Sequence, residues 1–180
     1  MSVRRVPSFL SLSLVAYLAS PTLVFLLTWP IPLVGWTAAL ALCWGCAWIL
    51  CDDVVIASPS TGPISLGLWS AIFAVALAWA SLGGAGHVFY ANEYDWHVRD
   101  ALLADLSRQL GPLVVRTSSE PSLWLLRCPL GYYLVPSILA HRFGLHWAQL
   151  FLFGWTFFGV FLSFSLLARR WSNWRGMLAV

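Results

Sequence analysis

Long apolar segments alternate with short polar ones along this chain. Asp, Glu, Lys and Arg are absent from three stretches, which run from Val6 to Cys51, from Val54 to Asn92 and from Phe143 to Ala168. About 20 apolar residues are needed to cross the hydrocarbon core of a bilayer. The first stretch is therefore long enough for two crossings, and each of the other two is long enough for one.

Proline, glycine and aspartate divide these stretches into helices. Trp29–Pro30–Ile31–Pro32 predicts a tight turn, because prolines lack a backbone donor and favour turn or extended geometry. Asp52 and Asp53 end the second helix, and a glycine-rich run at residues 83–86 ends the third. The pattern predicts membrane helices over residues 8–29, 33–50, 64–82 and 145–168.

The N-terminal segment can be interpreted as a signal peptide or as a retained anchor. Arg4 and Arg5 precede it, as basic residues precede a signal. However, its apolar run of about 20 residues is longer than the hydrophobic region of a signal peptide. Pro21 also follows the small-residue pair Ala19–Ser20, which is a poor context for cleavage. We therefore expect a retained anchor with a cytoplasmic N-terminus, because basic residues favour that side.

One polar loop, residues 86–128, holds five of the seven acidic residues and four Arg. Three crossings from a cytoplasmic N-terminus place this loop outside the cytoplasm. Within it, residues 95–110 predict an amphipathic helix, because Val98, Leu102, Leu106 and Leu110 recur every four residues. A helix with one apolar stripe beside a membrane is expected to lie in the interface plane.

Two topologies are open for residues 129–180. Residues 129–141 are apolar but short for a crossing. If they do not span, the basic cluster of Arg169, Arg170 and Arg175 lies in the cytoplasm, as the positive-inside rule favours. If they span, that cluster lies outside. The predicted organisation is three membrane helices in residues 1–85, the polar loop in residues 86–128, and one or two further helices with the start of another in residues 129–180.

Composition supports the same architecture. Hydrophobic residues make up 60% of the chain and charged residues 9%, whereas soluble domains carry about 25% charged residues. The net charge of +3, without a basic patch, argues against nucleic acid as a partner. The predicted fold class is all-α, a polytopic transmembrane protein with four to five hydrophobic helices plus an interfacial amphipathic helix. The sequence does not indicate an oligomeric state.

The first candidate site lies in the polar loop. Glu93 and Asp95 stand two residues apart, and His97 follows them. A carboxylate can take a proton from a hydroxyl, and a pair of carboxylates can bind a divalent cation. His97 adds a proton carrier or ligand. The alternative interpretation is that acids at a helix N-terminus only stabilise the helix dipole.

The second candidate site lies where the polar loop ends. Arg127 precedes an apolar segment, and Tyr132 and Tyr133 lie just inside it. An Arg at this position could bind a lipid phosphate through charge-assisted hydrogen bonds, and Arg99 in the loop is another candidate. The alternative interpretation is that the two Tyr belong to the aromatic belt that anchors membrane proteins at the interface.

The order of these parts resembles the N-terminal region of the C-type glycosyltransferases, polytopic enzymes that use polyprenyl-phosphate-linked sugars. In that family an acidic E-x-D or D-x-D-type motif opens the first large extracytoplasmic loop, and an amphipathic helix follows. A Pro-Pro-Leu-x-Tyr-Tyr-like motif then opens the next span, which closes with Phe-Gly. This chain has Glu93–Tyr94–Asp95, Cys128–Pro129–Leu130–Gly131–Tyr132–Tyr133 and Phe143–Gly144. It departs from the family at Arg127–Cys128, where His-Pro is common, and in having three helices before the loop instead of one.

The resemblance implies an inverting transfer of a sugar from a polyprenyl-phosphate donor held among membrane lipids. Asp95 would activate the acceptor, or Glu93 would if the register shifts by two residues, and a divalent cation could bind at this pair. The residues that would lie near the lipid phosphate are Arg99, Arg127, His97, Tyr132 and Tyr133. The resemblance also favours a crossing by residues 129–141, location in a bacterial cytoplasmic (inner) membrane, and a chain that is part of a longer enzyme.

Two other functions fit the same sequence. A non-catalytic multi-pass membrane protein or subunit could share the architecture without the chemistry. A transporter fits less well, because transporters place polar or charged groups inside their spans, and the predicted spans carry no charge.

Overall fold

The fold was obtained as a computed structural model. It describes residues 9–51, 65–88, 93–116, 123–125 and 130–178, with the backbone alone for residues 93–95, 115–116, 123–125 and 170–178. Two 3-10 turns, Ala85–His87 and Leu145–Trp147, join helices of this part of the chain. Its α-helices are α1 (Phe9–Thr28), α2 (Pro32–Cys51), α3 (Leu66–Leu82), α4 (Glu93–Arg108), α5 (Gly131–Phe143) and α6 (Ala148–Leu178).

Three helical segments of the described chain are long and apolar enough to cross a membrane, as expected of a membrane protein. They are Phe9–Thr28, Pro32–Cys51 and Leu145–Arg169. The apolar helix α3 has 17 residues, which makes it about 26 Å long against a hydrocarbon core of about 30 Å. Helices are therefore present at all four positions that the apolar pattern predicts.

The helix after the polar loop is short. α5 has 13 residues, about 20 Å of helix, and so falls well short of the hydrocarbon core on its own. Gly144, with a φ of 114°, ends it, and α6 follows after one 3-10 turn. α5 packs among α1, α4 and α6. A crossing by residues 129–141, and with it a count of four to five spans, is not confirmed.

The main core lies at the end of the bundle where α4, α5 and the start of α6 meet. Elsewhere α1 packs on α2, and α3 packs on α6. Large apolar side chains of α2 remain exposed, among them Trp36 and Trp44, and a helix that is apolar all round is typical of a membrane span. The buried side chains of the core are Ala85, Trp96, Leu103, Leu106, Leu113, Tyr133, Leu134, Ala140, Ala148 and Leu152.

α4 buries one face in the core. Trp96, Leu103 and Leu106 are buried there, whereas Val98, a member of the predicted apolar stripe, is 70% exposed. The buried residues are spaced by three and seven, as residues on one face of a helix of about 3.6 residues per turn are. The apolar face of α4 thus packs within the protein, and its orientation to the membrane plane stays a prediction.

A short β-ribbon follows α4. β1 (Val114–Arg116) pairs antiparallel with β2 (Leu123–Leu125), in a register that places Val115 opposite Trp124. The sequence predicts irregular or extended structure over residues 114–120 but no partner strand. Three-residue strands are too short for an alternating pattern to be recognised, so the pairing could not be predicted.

Candidate functional site

One hydrogen bond and one charge effect indicate how α4 is aligned with α5. Near the helix ends, Nδ1 of His141 lies 2.8 Å from the carbonyl oxygen of Ser107. Nearer the helix starts, burial raises the pKa of the Tyr132 hydroxyl, and the positive charge of Arg99 acts in the opposite direction. The two helices therefore run in the same direction, and their first turns lie at the same end of the pair. This alignment places Arg99 of the polar loop and Tyr132 of α5, which are well separated along the chain, toward the same end of the helix pair.

Glu93 and Asp95 belong to the first turn of α4. Their side chains lie outside the described part of the protein, and so does the whole of Arg127. The predicted roles of the two acids as base and as cation ligands, and of Arg127 at a phosphate, therefore stay predictions. Among the described residues, no group of three His, Cys, Asp or Glu is arranged to hold a metal ion.

Arg99 is the predicted cation that reaches the tyrosine pair. Its guanidinium carbon lies 5.1 Å from the centre of the Trp96 ring, where the ring quadrupole attracts a cation. Trp96 is only 5% exposed and therefore gives Arg99 a fixed support. Arg99 itself is exposed, so a phosphate can approach its planar, bidentate donor group. His97 is also exposed on α4.

Tyr132 and Tyr133 are packed inside the protein to different extents. Tyr133 is buried in the core, and the half-buried Tyr132 meets it edge-on with ring centres 4.9 Å apart. The Tyr132 hydroxyl lies 2.5 Å from Oγ1 of Thr156, which itself donates to the carbonyl oxygen of Leu152. A threonine hydroxyl has a single proton, so Tyr132 donates to Thr156. Burial of Tyr133 disfavours the aromatic-belt interpretation for that residue.

Tyr17 of α1 extends this polar group across the bundle. Its ring stacks on Trp155 at 4.1 Å between centres, and its hydroxyl donates to the Trp155 carbonyl oxygen at 3.3 Å. Thr156 stands about 12 Å along α6 from Ala148, so the group lies within the apolar bundle. The sequence could have indicated Tyr17 and Thr156, because both are polar residues inside charge-free segments.

His87, Asp100 and Gln149 form a second polar group, which the sequence analysis missed. Nε2 of His87 lies 3.1 Å from Oδ1 and 3.0 Å from Oδ2 of Asp100. Nε2 of Gln149 donates to the same Oδ1 at 2.6 Å. The group joins the turn after α3 to α4 and α6. Its members are far apart in the sequence, and no spacing motif links them.

The turn before α4 holds His87 in an uncommon conformation. His87 has a φ of 58°, in the left-handed region that costs a residue with a Cβ about 1 kcal/mol or more. Gly86 also has a positive φ, and a Cβ there would lie 2.7 Å from the Gln149 carbonyl oxygen. Glycine therefore allows the turn to approach α6. This turn conformation places the centre of the His87 ring 5.4 Å from that of the Trp96 ring, beside Asp100.

Comparison with protein-family models, with curated proteins and with solved structures found no match for this chain. The class of protein is therefore defined by the fold and the site alone. It is a helical protein with three segments suited to crossing a membrane, in which the group of His87, Asp100 and Gln149 joins the turn after α3 to α4 and α6.

Proposed function

We propose that this protein is a membrane glycosyltransferase that uses a polyprenyl-phosphate-linked sugar at the extracytoplasmic face. The observation that carries the proposal is the parallel alignment of α4 and α5. It sets the first turn of α4, with Glu93 and Asp95, at the same end as Tyr132, and it sets Arg99 near Tyr132. An acid motif, a cation and a hydroxyl on neighbouring helices are the groups that such a transfer needs.

The proposed topology has four crossings, made by α1, α2, α3 and α6, with α5 inserted only part of the way. The N-terminus then lies in the cytoplasm with Arg4 and Arg5, and the end of α6 lies there with Arg169. This arrangement satisfies the positive-inside rule at both ends. It places α4, the start of α6 and the group of His87, Asp100 and Gln149 on the extracytoplasmic side, where lipid-linked sugar donors would be used.

The proposed chemistry divides the roles between the two helices. Asp95 takes the proton of an acceptor hydroxyl while that oxygen attacks the anomeric carbon. The bond from this carbon to the phosphate oxygen breaks, and the polyprenyl phosphate leaves with the electron pair. Arg99 and Arg127 stabilise the charge on the departing phosphate.

The test compares two isosteric changes in the full-length protein. Asp95→Asn removes the proposed base, and Glu93→Gln is its matched control two residues away. Native membranes that contain each variant receive polyprenyl phosphates linked to tritiated glucose, mannose or galactose, and tritium in non-lipid products is measured. Asp95→Asn is expected to lower transfer by about 10²–10⁴, the usual contribution of a positioned general base.

The outcomes separate three interpretations. Loss of transfer in Asp95→Asn alone supports the proposed base. Loss in Glu93→Gln alone moves the base by two residues and keeps the reaction. Two results would overturn the proposal: a normally inserted wild-type protein that transfers none of these sugars, or two variants that transfer as the wild type does. In either case the acids are helix-capping residues, and the non-catalytic interpretation replaces this proposal.

A further inference from the structure

The turn between α5 and α6 exposes apolar side chains beside a basic one. α5 ends at Gly144, whose φ of 114° turns the chain, and the 3-10 turn Leu145–Trp147 leads directly into α6. Phe143 is 61% exposed and Trp147 is 44% exposed, and Arg142 is exposed next to Phe143. Aromatic rings with an adjacent cation are typical of the boundary between lipid and water.

The apolar part of this turn continues an exposed stripe of α6. Along the start of the helix, exposed residues recur at intervals of three or four and therefore share one face. They are Trp147, Leu150, Gly154 and Phe158. This face belongs to the segment Leu145–Arg169, which is apolar and long enough to cross a membrane. The stripe is therefore suited to contact acyl chains, and its first member lies where the span begins.

The length of the span places the turn at the headgroups. A helix of 25 residues is about 37 Å long, compared with about 30 Å for the hydrocarbon core and about 40–45 Å for the bilayer with its headgroups. Arg142 precedes this segment and Arg169 ends it, and no charged residue lies between them. When the segment is centred in the bilayer, Arg142 therefore lies at the level of the lipid phosphates of one surface.

A lipid phosphate suits Arg142 better than a carboxylate of the protein does. Of the two acidic side chains that the structure describes, Asp100 is contacted by two other side chains, and Asp105 lies 3.6 Å from Arg108. No acidic residue follows Glu120 in the sequence. The planar guanidinium binds phosphate with two parallel hydrogen bonds, and phosphate is the anion that a membrane surface supplies.

We infer that the turn from Arg142 to Trp147 anchors the protein at the membrane surface by binding an anionic phospholipid. Arg142 binds the phosphate of the headgroup, and an acyl chain of the same lipid lies along the stripe that begins at Trp147. Phe143 and Trp147 lie at the boundary between the headgroups and the acyl chains. This inference does not depend on the proposed sugar transfer.

The test measures the lipid preference at one position of the stripe. Leu150→Cys carries a bimane label at an exposed site, in a full-length chain whose four native cysteines are replaced by serine. The protein is placed in nanodiscs of equal parts phosphatidylcholine and phosphatidylglycerol, with brominated acyl chains on one lipid or on the other. Because bromine quenches only at short range, the ratio of the two quenching efficiencies reports which lipid occupies this position.

Phosphatidylglycerol is expected to be favoured about five-fold at the labelled position, the usual effect of one Arg beside an anionic lipid surface. Arg142→Gln should lower this ratio to about one. Arg108→Gln is the matched control, because it removes an exposed Arg that is paired with Asp105. The control should keep the ratio of the labelled protein.

Three results would overturn the inference. A label that neither lipid quenches would show that another protein surface covers the stripe. Equal quenching by the two lipids before any change at Arg142 would exclude a preference for the anionic headgroup. Equal losses of preference in Arg142→Gln and Arg108→Gln would mean that the net charge attracts the lipid and that Arg142 has no particular role. Each of these results leaves the proposed function untouched, since sugar transfer is measured separately.

Discussion

His141 Nδ1 lies 2.8 Å from the carbonyl oxygen of Ser107 and joins the last turns of two parallel helices. The last carbonyls of a helix have no partner within it, so this contact satisfies one of them in α4. It also fixes how far α5 is shifted along α4. The distance between the first turn of α4 and Tyr132 therefore depends on a hydrogen bond at the opposite end.

Removing this bond is expected to destabilise the protein. His141→Phe keeps an aromatic ring but cannot donate to the Ser107 carbonyl. We expect a loss of about 1 kcal/mol in the free energy of unfolding, the usual net contribution of one hydrogen bond. Unfolding in detergent micelles checks this value, with His146→Phe as the control at an exposed site. A variant as stable as the wild type would show that the contact contributes nothing to the alignment.

The Tyr132–Thr156 bond is expected to couple α5 to α6. Tyr132→Phe and Thr156→Val each remove one hydroxyl with little change in volume. In a double-mutant cycle measured by unfolding in bicelles, the two changes should show a coupling of about 0.6 kcal/mol, with about 1.7 kcal/mol as an upper value for bonds within membranes. Additive effects of the two substitutions would mean that the hydroxyls act independently.

The proposed topology predicts opposite sides for two exposed positions. Arg108 lies at the end of α4 with a side chain that is 68% exposed, and Cys51 is exposed at the end of α2. In a variant whose only cysteine is Arg108→Cys, an impermeant maleimide should label intact cells. In a variant that keeps Cys51 alone, labelling should require permeabilised cells. The reverse labelling pattern would show that the membrane orientation is inverted and that the candidate site lies on the cytoplasmic side.

One exposed face of α4 predicts that this helix tilts. On this face Val98 and Ala101, near the start, are apolar, whereas Asp105 and Arg108, near the end, are charged. A spin label at Val98 should therefore be more accessible to oxygen dissolved in lipid, and one at Asp105 to a water-soluble nickel complex. Equal accessibility to oxygen at both positions would place α4 parallel to the membrane surface or away from it.

Much of the helical organisation was predictable from the sequence. Charge-free segments bounded by Pro30, Asp52 and Gly83 predicted α1, α2 and α3 to within two residues at each described end. This succeeds because the requirement to satisfy backbone hydrogen bonds in lipid leaves an apolar segment few structures other than a helix. The polar loop and a helix inside it were predictable for the same reason, since charge is excluded from the apolar layer.

The buried face of α4 and the partners of the polar residues were decided by the tertiary structure. Val98 belongs to the apolar stripe that its spacing predicts and is exposed, whereas Trp96 and Leu103 are buried in the core. In the same way, nothing near Asp100 in the sequence indicates His87 or Gln149 as its partners. Side-chain periodicity reports the faces available on one helix, whereas the choice among them depends on where neighbouring helices pack, and that information is spread over the whole chain.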